Sequence, residues 1–261
     1  MNETLQSFER LLNIMNELRE KCPWDREQTI GSIRPLTIEE TYELSEAIME
    51  GDLQSVRKEL GDLLLHIVFY AKIASESSAF GMKDVIDGLC EKLIYRHPHV
   101  FGEHQADSAG QVVKNWEQLK LKEKGGNKTV LSGVPASLPT LIKARRVQEK
   151  ARAVGFDWEQ REQVWDKVQE ELDELRVEVK KADDNKMEEE FGDLLFAMVN
   201  AARLYDIDPE TALERTNKKF IRRFGYLEEQ TIKKGKPLTQ MTLEEMNKIW
   251  EEAKSHENSI S

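Results

Sequence analysis

The chain predicts an all-α protein made of two tandem, repeated helical-bundle domains. Nearly every segment spaces its apolar residues as a helix does, and the β-branched alternation expected of strands is absent. An acidic signature, Glu39-Glu40-x-x-Glu43 followed by Glu59-x-x-Asp62, recurs as Glu170-Glu171-x-x-Glu174 and Glu190-x-x-Asp193, every acid displaced by the same 131 residues. Between the copies, Gly125-Gly126-Asn127-Lys128, with Gly133 and Pro135 beyond it, breaks helix. At 261 residues the chain is long enough for two small domains, each with its own core, and the constant offset places them at 1–124 and 137–261 around a linker at 125–136.

In chain order, the helical spacing predicts helices over about Glu3 to Lys21, Pro35 to Glu50, Asp52 to Ser77, Gly81 to Arg96 and Ser108 to Lys124. Leu60 to Ala74, the longest apolar stretch, is interrupted by Asp62, His66 and Lys72; it is too short for a membrane span and reads as a buried helix. The second half repeats the series over about Ser137 to Ala153, Arg161 to Ala182, Asn185 to Tyr205, Asp208 to Lys234 and Thr242 to His256. Asp208-Pro209 has the form of an N-cap followed by Pro at the first helical position, and Thr242-x-x-Glu245 that of a capping box.

A formal net charge of −11 with 33% charged residues describes a soluble, acidic protein that repels nucleic-acid backbones and anionic lipid, so neither nucleic acid nor membrane is an expected partner. Cys22 and Cys90 are too few and too isolated for a disulfide framework or a thiolate metal site. With no signal peptide at the Met-Asn-Glu-Thr start, the expected compartment is the cytoplasm.

Three-residue spacing puts both acids of a pair on one helix face, so two facing helices would present four carboxylates to one point. Two bare carboxylates at ~4 Å and an effective dielectric of ~20 repel by roughly 4 kcal/mol, so such a cluster needs protons or a cation. Oxygen-only ligands favour Mg²⁺, with Mn²⁺ the alternative. In a chain with 49 acids an isolated Glu-x-x-Glu is ordinarily a solvated surface. Here, however, Glu40 and Glu43 share a face with Leu44 and Ala47, and Asp62 opens an apolar helix, where an acid needs a partner. A capping box of Thr37 with Glu40 would explain the first copy, but Val168 stands in place of Thr37 in the second.

Cations recur beside the acids. Lys92 and Arg96 parallel Lys219 and Arg223 at an offset of 127, while Trp116 and Lys120 parallel Trp250 and Lys254 at 134. Isolated charges of this kind are usually exposed helix surface and a Trp is usually core. Metal together with Lys and Arg is nonetheless what a polyphosphate requires, and a Trp one turn from a Lys suits stacking on a base. Arg96-His97-Pro98-His99 does not place its histidines on one helical face, and Phe224 replaces His97 in the second copy, so a helix-end packing role is expected there. Gly126-Asn127-Lys128-Thr129 lacks the preceding Gly of a phosphate-binding P-loop.

These motifs carry a resemblance. The acidic pattern, with Cys22-Pro23-Trp24-Asp25, Glu39-Glu40-Thr41-Tyr42-Glu43, Arg96-His97-Pro98-His99-Val100-Phe101 and Val154-Gly155-Phe156-Asp157-Trp158, resembles the MazG nucleoside triphosphate pyrophosphohydrolases in their tandem form, over almost the whole chain. The resemblance implies an all-helical fold, Mg²⁺ dependence, a homodimer, and hydrolysis of NTP or dNTP to NMP or dNMP and pyrophosphate; it names no regulatory protein partner. Its metal ligands would be Glu40, Glu43, Glu59 and Asp62 in one half and Glu171, Glu174, Glu190 and Asp193 in the other. Lys219, Arg223, Trp250 and Lys254 would contact nucleotide, as would Lys92, Arg96, Trp116 and Lys120 by repetition, and the dominant activity would lie in the C-terminal half. Glu39 and Glu170, rotated from the ligand faces, are the candidates to accept the proton of an attacking water. Two other readings stand beside this one: a nucleotide-alarmone hydrolase or binder using the same site, and a helical interaction protein stapled by structural metals.

Overall fold

A computed structural model describes residues 2–102, 108–122 and 129–258. The chain divides into two compact units, Met1–Val112 and Val113–Ser261. That division falls N-terminal of the glycine linker expected from the sequence, whose Gly125-Gly126-Asn127-Lys128 core lies outside the described residues. All the regular structure described is helical.

The first unit contains α1 (Glu3–Lys21), α2 (Pro23–Glu27), α3 (Ile30–Glu50), α4 (Leu53–Glu76), α5 (Met82–Arg96), α6 (Pro98–Phe101) and the start of α7 (Ala109–Lys122). Its core gathers Met15 from α1, Ile33 from α3 and Val68 and Phe69 from α4, with Leu11, Leu12, Leu65 and Ile73 packed around them. The α3–α4 pair is the most extensive contact in the unit, and α1 and α5 pack on α4. Gly51, in the left-handed region at φ 71°, ends α3, and Asp52 starts α4 by accepting bonds from the amides of Gln54 and Ser55.

The second unit repeats this plan with α8 (Thr140–Ala153), α9 (Val164–Lys181), α10 (Asp184–Leu204), α11 (Pro209–Lys234) and α12 (Leu243–Asn258). α9 and α10 form the principal pair, α8 and α11 pack on α10, and α12 packs on α11. The turn repeats too. Ala182 stands where Gly51 stands, in the same left-handed conformation at φ 56°, and Asp183 caps α10 through the amide of Lys186.

The two helix starts read from capping patterns are borne out. Asp208 accepts from the amide of Thr211 at 2.8 Å with Pro209 in the first turn, and Thr242 and Glu245 exchange backbone-to-side-chain bonds at 2.8 and 3.2 Å. The expected start of α3 at Pro35 is corrected to Ile30. Thr29 and Ser32 form a reciprocal capping box at 2.9 and 3.1 Å, and Ile33, 1% exposed, anchors the added turn in the core. Thr37 is therefore mid-helix and caps nothing; its hydroxyl meets Ile33 O at 3.2 Å and Tyr70 Oη at 2.6 Å. Other differences are small. α8 starts at Thr140 because Pro139 occupies its N-cap, and Arg161–Gln163 is a 3₁₀ turn before α9. His97 has the helix-end role expected of it, closing α5 with its Nδ1 2.6 Å from Leu93 O.

Two carboxylate clusters as candidate active sites

The tight turn between α3 and α4 brings the acids of the two helices together. Glu40 and Glu43 of α3 and Glu59 of α4 each offer an oxygen within 4.8 Å of the others, and Glu171, Glu174 and Glu190 do the same between α9 and α10. Asp62 and Asp193 lie three residues beyond Glu59 and Glu190 and stand outside these tight triads. Their charge is still felt there. Burial, then Asp62, Glu43 and Glu59, push the Glu40 carboxyl above its ordinary value, and burial, then Glu174, Asp193 and Glu171, do the same to Glu190. Each cluster thus concentrates negative charge on a partly desolvated point.

The two copies differ in which acid is deepest. In the first it is Glu59, 5% exposed, and in the second Glu171, 6% exposed. Each is met by a lysine that the sequence reading did not single out. Lys58 Nζ lies 2.9 Å from Glu59 Oε1 and 3.7 Å from Asp62 Oδ2, while Lys167 Nζ lies 2.8 Å from both Glu170 Oε1 and Glu171 Oε1. The lysines are not equivalents: Glu189 stands in the place of Lys58, and Leu36 in that of Lys167. A comparison by constant offset passes over both; the signal was a lysine within one turn of a buried acid. Glu59 Oε2 remains buried with no hydrogen-bond partner.

Of the other candidates, two lie on the acidic helices and the rest on neighbouring helices of the chain. Glu39 and Glu170 are exposed neighbours of Glu40 and Glu171, and Glu170 is held by Lys167. Lys92 and Arg96 lie on α5, and Lys219 and Arg223 on the corresponding α11. Trp250 of α12 is half-buried, its ring centroid 5.1 Å from that of Phe220, with the Arg223 guanidinium 6.0 Å from its ring; one turn on, Lys254 pairs with Glu251 at 2.5 Å. Trp116 and Lys120 lie on the part of α7 that belongs to the second unit.

Asp157 of the Gly155-Phe156-Asp157-Trp158 motif has a structural partner. Arg203, buried in α10, donates to its two oxygens at 2.5 and 3.2 Å and to Asn200, tying the segment before α9 to the end of α10.

Comparison with known proteins agrees with this duplicated arrangement. The MazG nucleotide pyrophosphohydrolase domain matches twice, at residues 28–101 and 159–226, spanning α3–α4 and α9–α10. The chain is 48% identical over 257 residues to the nucleoside triphosphate pyrophosphohydrolase/pyrophosphatase MazG of Thermotoga maritima, covering 97% of this chain and 98% of that protein. It is 43% identical over 260 residues to the nucleoside triphosphate pyrophosphohydrolase of Escherichia coli K12, covering 97% and 99%. It is also 46% identical over 254 residues to the uncharacterized protein YabN of Bacillus subtilis, covering 96% of this chain and 52% of YabN. With both acidic hairpins inside the matched segments, the chain belongs to the MazG family of nucleotide pyrophosphohydrolases.

Proposed function

We propose that the protein hydrolyses nucleoside triphosphates, ribo or deoxy, to the monophosphate and pyrophosphate in a Mg²⁺-dependent reaction in which water attacks the α-phosphate. The observation that carries this is the doubled triad of carboxylates, three oxygens within 4.8 Å of one another in each unit. The donor set fits a hard divalent cation: it is all oxygen, its charges crowd one another, and the buried Glu59 Oε2 lacks a partner. Glu40, Glu43, Glu59 and Asp62 would hold the ion in one site, and Glu171, Glu174, Glu190 and Asp193 in the other. A bound Mg²⁺, or Mn²⁺ in its place, supplies positive charge to phosphate oxygens and lowers the pKa of a coordinated water.

The chain's own groups do the rest. Lys219 and Arg223 would balance the charge of the triphosphate, with Lys92 and Arg96 in the corresponding place of the first copy. Trp250, steadied by Phe220 and Arg223, offers an aromatic surface for the nucleoside, and Lys254 a cation one turn away; Trp116 and Lys120 correspond to them by sequence repetition. Glu170 would accept the proton of the attacking water, with Lys167 fixing its position, and Glu39 is its equivalent. A nucleoside held beside the carboxylates leaves the α-phosphate as the nearest phosphoryl group, so the outer two phosphates depart together.

Each unit also leaves an apolar stripe exposed on its acidic helix, Leu60, Leu64 and Ile67 on α4 and Phe191, Leu195 and Met198 on α10, at equivalent positions. A second copy of the chain is the partner proposed for them.

The test is hydrolysis in ¹⁸O-labelled water with and without Mg²⁺. The label is expected in the monophosphate with unlabelled pyrophosphate as co-product, and turnover should vanish on chelation and return with Mg²⁺. Labelled orthophosphate plus diphosphate would refute the α-phosphate assignment.

A further inference from the structure

Beyond the acids, a described residue on or against each acidic hairpin keeps a buried polar atom with no hydrogen-bond partner. In the first unit it is Nδ1 of His66, a residue 6% exposed, and in the second it is Oε1 of Gln148, also 6% exposed. Leaving such an atom buried and unbonded costs about 1–3 kcal/mol. Both occupy comparable ground. His66 lies on α4 four residues after Asp62, on the same helix face, and the Asp62 charge acts on its ring. Gln148 reaches across from α8, its Nε2 donating to the carbonyl of Phe196, three residues after Asp193 on α10.

The two groups are not copies of one ancestral residue. Ala197 stands in the place of His66, and α8 is a different helix from the one that carries the histidine. The first unit continues its polar column with the Tyr70–Thr37 hydroxyl pair, where the second has Ala201 and Val168. The halves therefore differ in the surroundings of this position and agree in retaining one unsatisfied polar atom there. A purely packing role would favour an apolar side chain in both.

On the reading that the α-phosphate is held at the carboxylates, the next part of a nucleotide along from that phosphate is its sugar. One helical turn, about 5.4 Å, separates Asp62 from His66. We propose that His66 in the first site and Gln148 in the second bind a sugar hydroxyl of the nucleotide, as residues that determine substrate selection. Burial holds the His66 pKa below its ordinary value, opposed by Asp62, so near neutral pH the ring is an uncharged imidazole that accepts at one nitrogen and donates at the other. The Gln148 oxygen accepts a hydroxyl proton; both groups thus select for a hydroxyl and against its absence.

The experiment is binding calorimetry with Mg²⁺ and nucleoside 5′-(α,β-methylene)triphosphates bearing ribose, 2′-deoxyribose or 2′,3′-dideoxyribose. Each site is read in full-length protein whose other cluster is silenced, by Glu171→Gln with Asp193→Asn or by Glu40→Gln with Asp62→Asn. One hydroxyl bond lost should weaken binding about fivefold. In the first site His66→Ala should impose that loss on at least one hydroxyl-bearing analogue and leave the dideoxy analogue unchanged, while His66→Gln, which keeps a donor and an acceptor, should restore much of the preference. Gln148→Leu should do likewise in the second site. Unchanged sugar preference, or equal weakening of all three analogues, would overturn the proposal, as would absence of nucleotide binding at both singly silenced sites. Failure of the α-phosphate reading shows separately, in the ¹⁸O label of the wild-type products.

Discussion

At the scale of single residues, the copies place their deepest acid on opposite helices, Glu59 on α4 and Glu171 on α9, and give each a lysine. Glu171→Gln removes a buried charge that Lys167 and the neighbouring acids are arranged around, so activity in steady-state assays should fall on the order of 10²-fold. Glu40→Gln touches a less buried acid in the half expected to contribute less, and should cost less. Equal losses would argue that the sites contribute alike. Glu170→Gln should slow turnover with Mg²⁺ affinity nearly unchanged, and lost metal binding by calorimetry would make Glu170 a ligand. Asp157 follows a different rule. Burial would raise its pKa, but the hydrogen bonds and charge of Arg203 outweigh that and hold it below the usual aspartate value of 3.8. A depressed folded-state pKa contributes stability that is fully present above the unfolded value and is lost as pH falls through the folded one. Asp157→Asn leaves Arg203 buried without its counter-charge and should cost about 3 kcal/mol at pH 7, a gap from wild type that urea titrations should find shrinking below pH 4.

At the scale of elements, the turns joining α3 to α4 and α9 to α10 set how the acids meet, and the duplication supplies its own control. Gly51 ends α3 at φ 71° without strain, whereas Ala182 ends α9 at φ 56° with a Cβ that this conformation crowds. Ala182→Gly should therefore stabilise the second unit by about 1 kcal/mol, read as a higher thermal midpoint, and an unchanged or lower midpoint would show that the added unfolded-state entropy cancels the relief. The sequence made this hairpin legible because its acids and the Gly-Asp-Leu-Leu run among them repeat in register. The helix starts at Asp208 and Thr242 were legible for the same local reason, since a cap is written within four residues. The first turn of α3 was not. Pro35 suits a helix start and Gly31 disfavours a helix interior, and only the tertiary burial of Ile33 with Met15, Val68 and Phe69 makes helix the better state there. The short α2 and α6, each begun by a proline, are too brief to show a helical period. In the clusters, spacing revealed the acids, which share a period, but not Lys58 or Lys167, which have no counterpart at the constant offset.

At the scale of the whole molecule, each acidic hairpin has more apolar surface than its own unit covers. Leu60, Leu64 and Ile67 on α4, and Phe191, Leu195 and Met198 on α10, follow the spacing of one helix face and stay exposed, while Val68 and Phe69 on α4 and Ala197, Val199 and Ala201 on α10 are buried. The same three positions are exposed in both units, and α10 exposes Phe196 besides, where Leu65 of α4 is packed against the core. A face that recurs on duplicated domains, flanked by acids that face elsewhere on the helix, suits an isologous contact in which the same surface of a second chain covers it, since a twofold axis pairs each stripe with its own copy. The formal charge of −11 works against association at low ionic strength, so apolar burial would have to supply the attraction, and added salt should strengthen it by screening the repulsion. Light scattering across a dilution series should give the mass of a dimer, and Leu64→Glu with Leu195→Glu, which place a carboxylate in the centre of each stripe, should give a monomer with unchanged helical circular dichroism. A wild-type protein that is monomeric at every concentration, in low and high salt alike, would leave the stripes without the partner assigned to them.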